Sequence, residues 1–133
     1  MSERKKVSAG TKWGDSVGYS RAVLAENIIE VAGTTSFENG EVVGVGDAYA
    51  QGMFILNKIR SAISELGGDI NDVVRTRMFI TDIGAWDGVA KAHGEFFSEI
   101  KPASTMVVIS GLAHPDMLVE IEATAILANK KPG

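Results

Sequence analysis

Apolar residues recur at Gly52, Leu56, Ile59, Ile63 and Leu66, alternately four and three positions apart, which is the period of one face of an α-helix. Asp47 stands just ahead as a natural N-cap and Gly67-Gly68 follows as a strong stop, so the spacing predicts an amphipathic helix between them. A second stripe, Trp86, Val89, Ala90, Phe96, Phe97 and Ile100, predicts a helix from about Trp86 to Ile100, ended by Pro102. On it Lys91 and Glu95 form an i, i+4 pair in the less favoured order.

The remaining pattern is that of strands. Arg21 to Leu24 and Ile28 to Ala32 flank the hairpin-like Glu26-Asn27, and Glu38-Asn39-Gly40 is the strongest turn signal in the chain. Val73 to Thr81, Thr105 to Ile109 and Leu118 to Leu127 supply further strands. In the last of them Val119, Ile121, Ala123 and Ala125 alternate with Glu120, Glu122 and Thr124, which turns one apolar face to a core and both carboxylates the other way. The order is β-β-β-α-β-α-β-β, the pattern of an α+β fold in which both helices cover one face of a six-stranded mixed sheet. Nothing in the chain is left to cover the other face. If that face carries Met78, Ile80, Met106 and Val108, or their opposite-face neighbours, self-association is the simple way to bury it.

Composition narrows the function. The chain has 133 residues, 45% of them hydrophobic, with 13 Lys and Arg against 17 Asp and Glu, a formal charge of −4. One domain spanning 1–133 is expected, and roughly two thirds of the unfolded surface of such a chain is buried without a metal or disulfide staple. Cysteine is absent, which excludes thiol nucleophiles, Cys-ligated metals and disulfides. The start, Met1-Ser2-Glu3-Arg4-Lys5-Lys6, is charged, no signal-like apolar segment follows, and no run is long enough to span a bilayer; a cytoplasmic protein with no membrane partner is expected. Outside Arg4-Lys5-Lys6 and Lys130-Lys131 there is no basic cluster, and a net negative field repels a polyanion, so no nucleic-acid partner is expected.

The residues with chemistry each admit two readings. Glu120 and Glu122 leave one strand face about 7 Å apart; enclosed, such a pair supplies a general acid or base, and otherwise it is a solvated face or pairs with a neighbouring arginine. Arg75 and Arg77 likewise share a face and suit either a bidentate anion or cross-strand pairing with Glu120, Glu122 or Asp82, the latter preferred. His93 and His114 have no second ligand at metal spacing, so no metal site is expected, and His93 reads as a half-buried packing residue. No G-x-S-x-G occurs, and Gly44-Val45-Gly46 lacks the Lys-Ser/Thr of a phosphate loop, which removes serine-hydrolase, kinase and NTPase readings. Tyr19, beside Gly18, is either a proton donor or a packing tyrosine.

The segment Lys101-Pro102-Ala103-Ser104-Thr105-Met106-Val107-Val108-Ile109, with Leu112 and then Leu118-Val119-Glu120-Ile121-Glu122-Ala123, resembles the C-terminal signature of the RidA/YjgF family, P-A-R-S-x-V-x-V-x-x-L-P followed by [VI]-E-I-E-A. Tyr19, Val31-Ala32-Gly33, Gln51, Leu56-Asn57-Lys58-Ile59 and Asp72 to Phe79 with Asp82 also match, in order, over nearly the whole chain.

The resemblance implies a chorismate-mutase-like homotrimer, with three sheets forming a central barrel, the helices outside and a small-molecule cleft between each pair of subunits. It implies hydrolysis of enamines or imines, such as 2-aminoacrylate, to a 2-keto acid and ammonia without a cofactor. An arginine there grips the substrate carboxylate while a glutamate positions water. Carried over, that glutamate is Glu120, the cleft tyrosine Tyr19 and the backbone-approach glycine Gly33. The arginine's position is Ser104, the frequent cysteine's is Met106, and His93 stands where many members have a tyrosine. Arg77 and His93 are the candidates to replace the arginine. A changed substrate is therefore expected of a RidA-like hydrolase or deaminase; the alternative is a non-catalytic, metabolite-binding or regulatory trimer. Many members also carry an endoribonuclease label, which the charge of −4 argues against.

Overall fold

The computed structural model describes residues 4–128. In chain order its elements are β1 (Lys5–Ser8), β2 (Ser20–Ala25), β3 (Ile28–Thr34), β4 (Phe37–Glu38), β5 (Glu41–Val42), α1 (Ala48–Glu65), β6 (Val73–Ile80), α2 (Trp86–Phe97), β7 (Ala103–Val108) and β8 (Val119–Ile126). Six strands form one sheet in the order β1-β2-β3-β8-β6-β7, while β4 and β5 make a separate small hairpin. Only β6 and β7 pair in parallel; every other pairing in the sheet is antiparallel. The fold is thus the α+β architecture expected, with β-β-β-α-β-α-β-β for the main sheet and the β4–β5 hairpin inserted before α1.

Helix α1 starts where Asp47 accepts a hydrogen bond from the Ala50 N–H at 2.9 Å, satisfying one of the otherwise unpaired first-turn donors. It stops where Gly67 takes φ +91°, allowing the Gly68 N–H to reach back to the Ile63 carbonyl at 2.9 Å. All five residues of its apolar stripe are buried, against the face carrying Val119, Ile121, Ala123 and Ala125. Helix α2 lies beside α1 at a distance only glycine permits: a Cβ at Gly52 would come within 2.9 Å of the Ala92 side chain.

The structure departs from the pattern in four places. β1 carries no apolar alternation, and its pairing with β2, Lys5 opposite Leu24 to Ser8 opposite Ser20, makes it a strand. Helix α2 ends at Phe97, three residues short of Ile100, and Lys101 turns left-handed at φ +52° ahead of Pro102. Within it Trp86 and Ala90 are exposed, and Ala92, not they, faces the core. Lys91 and Glu95 converge on Tyr49 of α1: Glu95 accepts its hydroxyl at 2.7 Å and the Lys91 ammonium lies 4.7 Å from its ring centroid. Of the four residues considered for the uncovered face, Met78 and Ile80 are buried beneath the helices. The face opposite them carries Glu120, Glu122, Arg75, Arg77 and Phe79 and exposes Val107 and Ile126. Lys130 and Lys131 lie outside the described residues.

Gln51 joins three segments. Fully buried in α1, it donates to the carbonyls of Gly44 and Asp116 at 3.1 and 2.9 Å and accepts from the Leu118 N–H at 2.9 Å. Replacing it strands three partly buried backbone groups, each costing about 1–3 kcal/mol less whatever water recovers. Gln51→Ala is expected to lower unfolding free energy by about 3 kcal/mol, against about 1 kcal/mol for Asp47→Ala, read from urea midpoints at one protein concentration with unchanged slope.

Candidate active site

Strand β3 breaks where Val31 pairs with Ala123 but Thr34 pairs with Ile121, so Ala32 and Gly33 bulge out of register with β8. Glu120 of β8 fills the space beside that bulge. A Cβ at Gly33 would lie 2.7 Å from the Glu120 carboxyl carbon and 2.9 Å from one of its oxygens, so glycine is required there by close approach. The bulge is fixed from beneath by Arg21 of β2, only 6% exposed, whose guanidinium donates to the Gly33 carbonyl at 2.8 Å, to Thr34 Oγ1 at 3.1 Å and to the Ala9 carbonyl at 3.4 Å.

Tyr19 arrives from a single π-helical turn, Gly14–Gly18, with its N–H bonded to the Gly14 carbonyl at 3.0 Å. Its ring centroid lies 5.6 Å from the Arg21 guanidinium carbon, a cation–π contact. Tyr19, Arg21, Gly33 and Glu120 line one hollow of about 250 Å³, closed on its other sides by Trp13, Phe37, Lys58 of α1 and Met117. A larger hollow of about 710 Å³ opens on the sheet face beside Tyr19, Glu30 and Glu122; it is broad and wet, and the reactive groups collect in the smaller one.

Burial raises the pKa of the half-buried Glu120 above the ordinary 4.5, and the nearby Glu122 raises it further, against the opposing pull of Arg21. A carboxyl so placed is a better base than a solvated one and sits against a space for water. Lys58 is shifted the other way: burial lowers its pKa and the positive Arg21 adds to this, while Glu38 and Tyr19 oppose it. Glu122 pairs with Arg77, its cross-strand neighbour, at 3.6 Å; this is the pairing preferred from the sequence, and such an exposed pair contributes about 0–1 kcal/mol. Arg75 donates to Thr105 Oγ1 at 2.8 Å. Neither arginine lines the Glu120 hollow.

Ser104, His93 and Met106 collect elsewhere, on the helix-facing side near the β7 edge. Thr76 Oγ1 lies 2.6 Å from Ser104 Oγ and 2.8 Å from His93 Nε2, and Ser104 Oγ is 3.3 Å from the same nitrogen. Burial lowers the His93 pKa, favouring neutral imidazole, and its ring packs on Phe97 at 4.6 Å. Met106 stands opposite Met78 in the parallel pair, at the margin of the core. Within one chain, therefore, Tyr19, Gly33 and Glu120 meet, while His93, Ser104 and Met106 form a second group. His114 Nδ1 accepts from the Asp116 N–H at 3.0 Å in its turn. Among the described residues no three His, Cys, Asp or Glu side chains gather as a metal would need, and no helix is long and apolar enough to cross a membrane.

Arg21 and Lys58 were not legible as site residues. Arg21 falls among apolar strand positions and Lys58 follows Asn57 on the polar side of a helix; the break in β3 and the approach of Phe37 bring them to Glu120.

A two-layer α+β protein with a half-enclosed carboxylate hollow at the end of its sheet is the class these features define. The family model described as Endoribonuclease L-PSP matches residues 12–127, and the chain belongs to that family, the RidA/YjgF family its C-terminal motif resembles. It is similar to the 3-aminoacrylate deaminase RutC of Acinetobacter baylyi, 37% identical over 108 residues covering 80% of this chain and 85% of the relative. A Streptomyces coelicolor protein is 36% identical over 121 residues, 91% of this chain and 90% of its own. Among solved structures, Rv2704 of Mycobacterium tuberculosis, described as a member of the YjgF/YER057c/UK114 family, superposes with a TM-score of 0.84 at 39% identity, covering 94% of this chain and all of its own.

Two outcomes test the geometry. Gly33→Ala should cost about 1–3 kcal/mol by overpacking against Glu120, and most of that loss should return in the Gly33→Ala, Glu120→Ala double variant, a coupling that a double-mutant cycle of unfolding free energies measures. Because folding raises the Glu120 pKa, the native state binds its proton more tightly than the unfolded chain. Its contribution to stability is greatest below 4.5 and declines as pH rises through the raised value. Glu120→Gln should remove that decline from the stability profile.

Proposed function

We propose that the protein is a RidA-type hydrolase that deaminates a small enamine or imine, with Glu120 activating water. The observation that carries the proposal is the Glu120 carboxyl seated against Gly33 in a half-enclosed hollow with Tyr19, its basicity raised by burial. The activity named for RutC, a 3-aminoacrylate deaminase, supports the same chemistry. Water attacks the imine carbon while Glu120 takes one of its protons and passes it to the nitrogen, giving a carbinolamine; Glu120 then takes the hydroxyl proton and delivers it to the amine, and ammonia leaves as the carbon–nitrogen bond breaks and the carbonyl forms. Atoms balance as imine plus water to carbonyl plus ammonia, and the scheme calls for no cofactor.

The exposed sheet face and the separate Ser104, Thr76 and His93 group favour a homotrimer. In it the β7 edge of one subunit would lie beside the Tyr19, Gly33 and Glu120 hollow of the next, completing a cleft between subunits. Ser104, where the motif carries an arginine, offers a hydroxyl too short to grip a carboxylate bidentately, so the natural substrate differs from 2-aminoacrylate. The charge of −4 gives no support to the ribonuclease of the family's description.

The test is ammonia release from freshly generated 3-aminoacrylate and 2-aminoacrylate. Native protein should act on the first and poorly on the second, Ser104→Arg should gain activity on 2-aminoacrylate, and Glu120→Ala should lose about 10²-fold or more. An undiminished rate in Glu120→Ala overturns the mechanism. Silence in every form, together with saturable retention of a metabolite, establishes the non-catalytic binding trimer instead.

A further inference from the structure

Lys58 is the cation that lines both the inner and the outer hollow, with Arg21 in the inner one and Lys12 in the outer one, and it has no ion-pair partner among the described residues. Its ammonium donates to the Phe37 carbonyl at 3.3 Å, which uses one of three donors, and no carboxylate among the described residues lies within 4.0 Å of it. Arg21, by contrast, is 6% exposed and its two terminal nitrogens are held by Gly33, Thr34 and Ala9, with its buried Nε left without a partner, so its charge is fixed within the sheet while the Lys58 ammonium stands at the mouth shared by both hollows. The Lys58 ammonium also lies 5.9 Å from the Phe54 ring centroid, but neither contact neutralises it, and a half-buried charge without a negative partner is costly.

Lys58 also stands in the wall shared by two hollows. The inner one, about 250 Å³, holds Glu120; the outer, about 600 Å³, runs beneath the β4–β5 hairpin. Trp13 and Phe37 line both, their rings 5.4 Å apart and tilted by 45°, an apolar surface beside the ammonium. Together the hollows reach the range of roughly 300–1,000 Å³ that holds a drug-sized ligand. The negative Glu120 across the inner hollow discriminates against dianions such as phosphate esters, which leaves a single negative charge as the matching one.

We infer that Lys58 is the anion-binding residue of this site and selects a monocarboxylate with an apolar or aromatic body, the carboxylate on Lys58 and the body against Trp13 and Phe37. The inference rests on reading the Glu120 hollow as a small-molecule site. It places the charge recognition on α1, where the Pro102-Ala103-Ser104 segment supplies none, and makes room for a substrate bulkier than a three-carbon acid.

Benzoate and benzamide, matched in shape and differing in charge, are suitable probes, with Trp13 fluorescence as reporter in a full-length Trp86→Phe background. Benzoate should quench saturably and bind at least tenfold more tightly than benzamide. Lys58→Gln should weaken benzoate about tenfold, equivalent to about 1.4 kcal/mol, and leave benzamide unmoved, while Lys58→Arg should keep the preference. A thermal melt of each variant separates loss of binding from loss of fold; if Lys58→Gln fails to fold, Lys58→Arg and added salt, which weakens an ion pair and spares benzamide, give the same discrimination. Equal binding of the two probes, benzoate binding indifferent to Lys58, or no saturable binding of either overturns the inference. No turnover is involved, so failure of the deaminase assay with benzoate preference intact defeats the hydrolase reading alone.

Discussion

A buried guanidinium governs the arrangement of this site. Removing an arginine from water costs several kcal/mol unless its donors are matched, and Arg21, 6% exposed, places its two terminal nitrogens on Gly33, Thr34 and Ala9, leaving only its buried Nε without a partner. A regular β3 would direct the Gly33 carbonyl into the ladder with β8; the bulge at Ala32 and Gly33 frees it. The same bulge opens the space that the Glu120 carboxylate occupies, and the same guanidinium supports the Tyr19 ring. One desolvated cation thereby fixes a strand break, the Glu120 carboxylate and an aromatic wall, and it tempers the rise in the Glu120 pKa that burial imposes.

The second constraint is the packing of two helices at glycine distance. Gly52 against Ala92 and Gly88 against the Tyr49 N–H bring α1 and α2 close, which seats α2 over β6 and holds His93 against Thr76. Gln51 then ties α1 to the loop entering β8. Glu120 follows that loop by a few residues, so the carboxylate is registered to the helical layer as well as to the sheet. The hollow is bounded on the sheet side by Gly33 and Glu120 and on the other by Lys58 and the buried Met117.

Two groups of polar residues on opposite sides of the sheet give the chain a divided chemistry. The open-face group carries the acid and base character, Glu120 with Tyr19. The helix-side group at the β7 edge, Ser104, Thr76 and His93, is neutral and linked by hydrogen bonds among the two hydroxyls and His93 Nε2. An edge strand with unpaired backbone and exposed Val107 and Val108 is a surface that a neighbouring copy would cover.

Much of this was written in local pattern. The 4-3 spacing from Gly52 to Leu66 and the Asp47 and Gly67-Gly68 signals fixed α1, since caps and amphipathic periods act within a few residues of themselves. The alternation from Val119 to Ala125 told which way Glu120 and Glu122 face, the C-terminal motif pointed to Glu120, and the matching N-terminal segments pointed to Tyr19 and Gly33. What local pattern does not hold is long-range pairing: that β1, without apolar alternation, would be drawn into the sheet by β2, or that Lys91 and Glu95 would turn to Tyr49. Nor could it show Arg21 and Lys58 as site residues, because their importance comes from a bulge in β3 and a carbonyl at Phe37, contacts between segments far apart in the chain. Burial, and with it the shifted proton affinities of Glu120, His93 and Lys58, belongs to the assembled layers, since desolvation is a property of what surrounds a group and not of its neighbours in sequence.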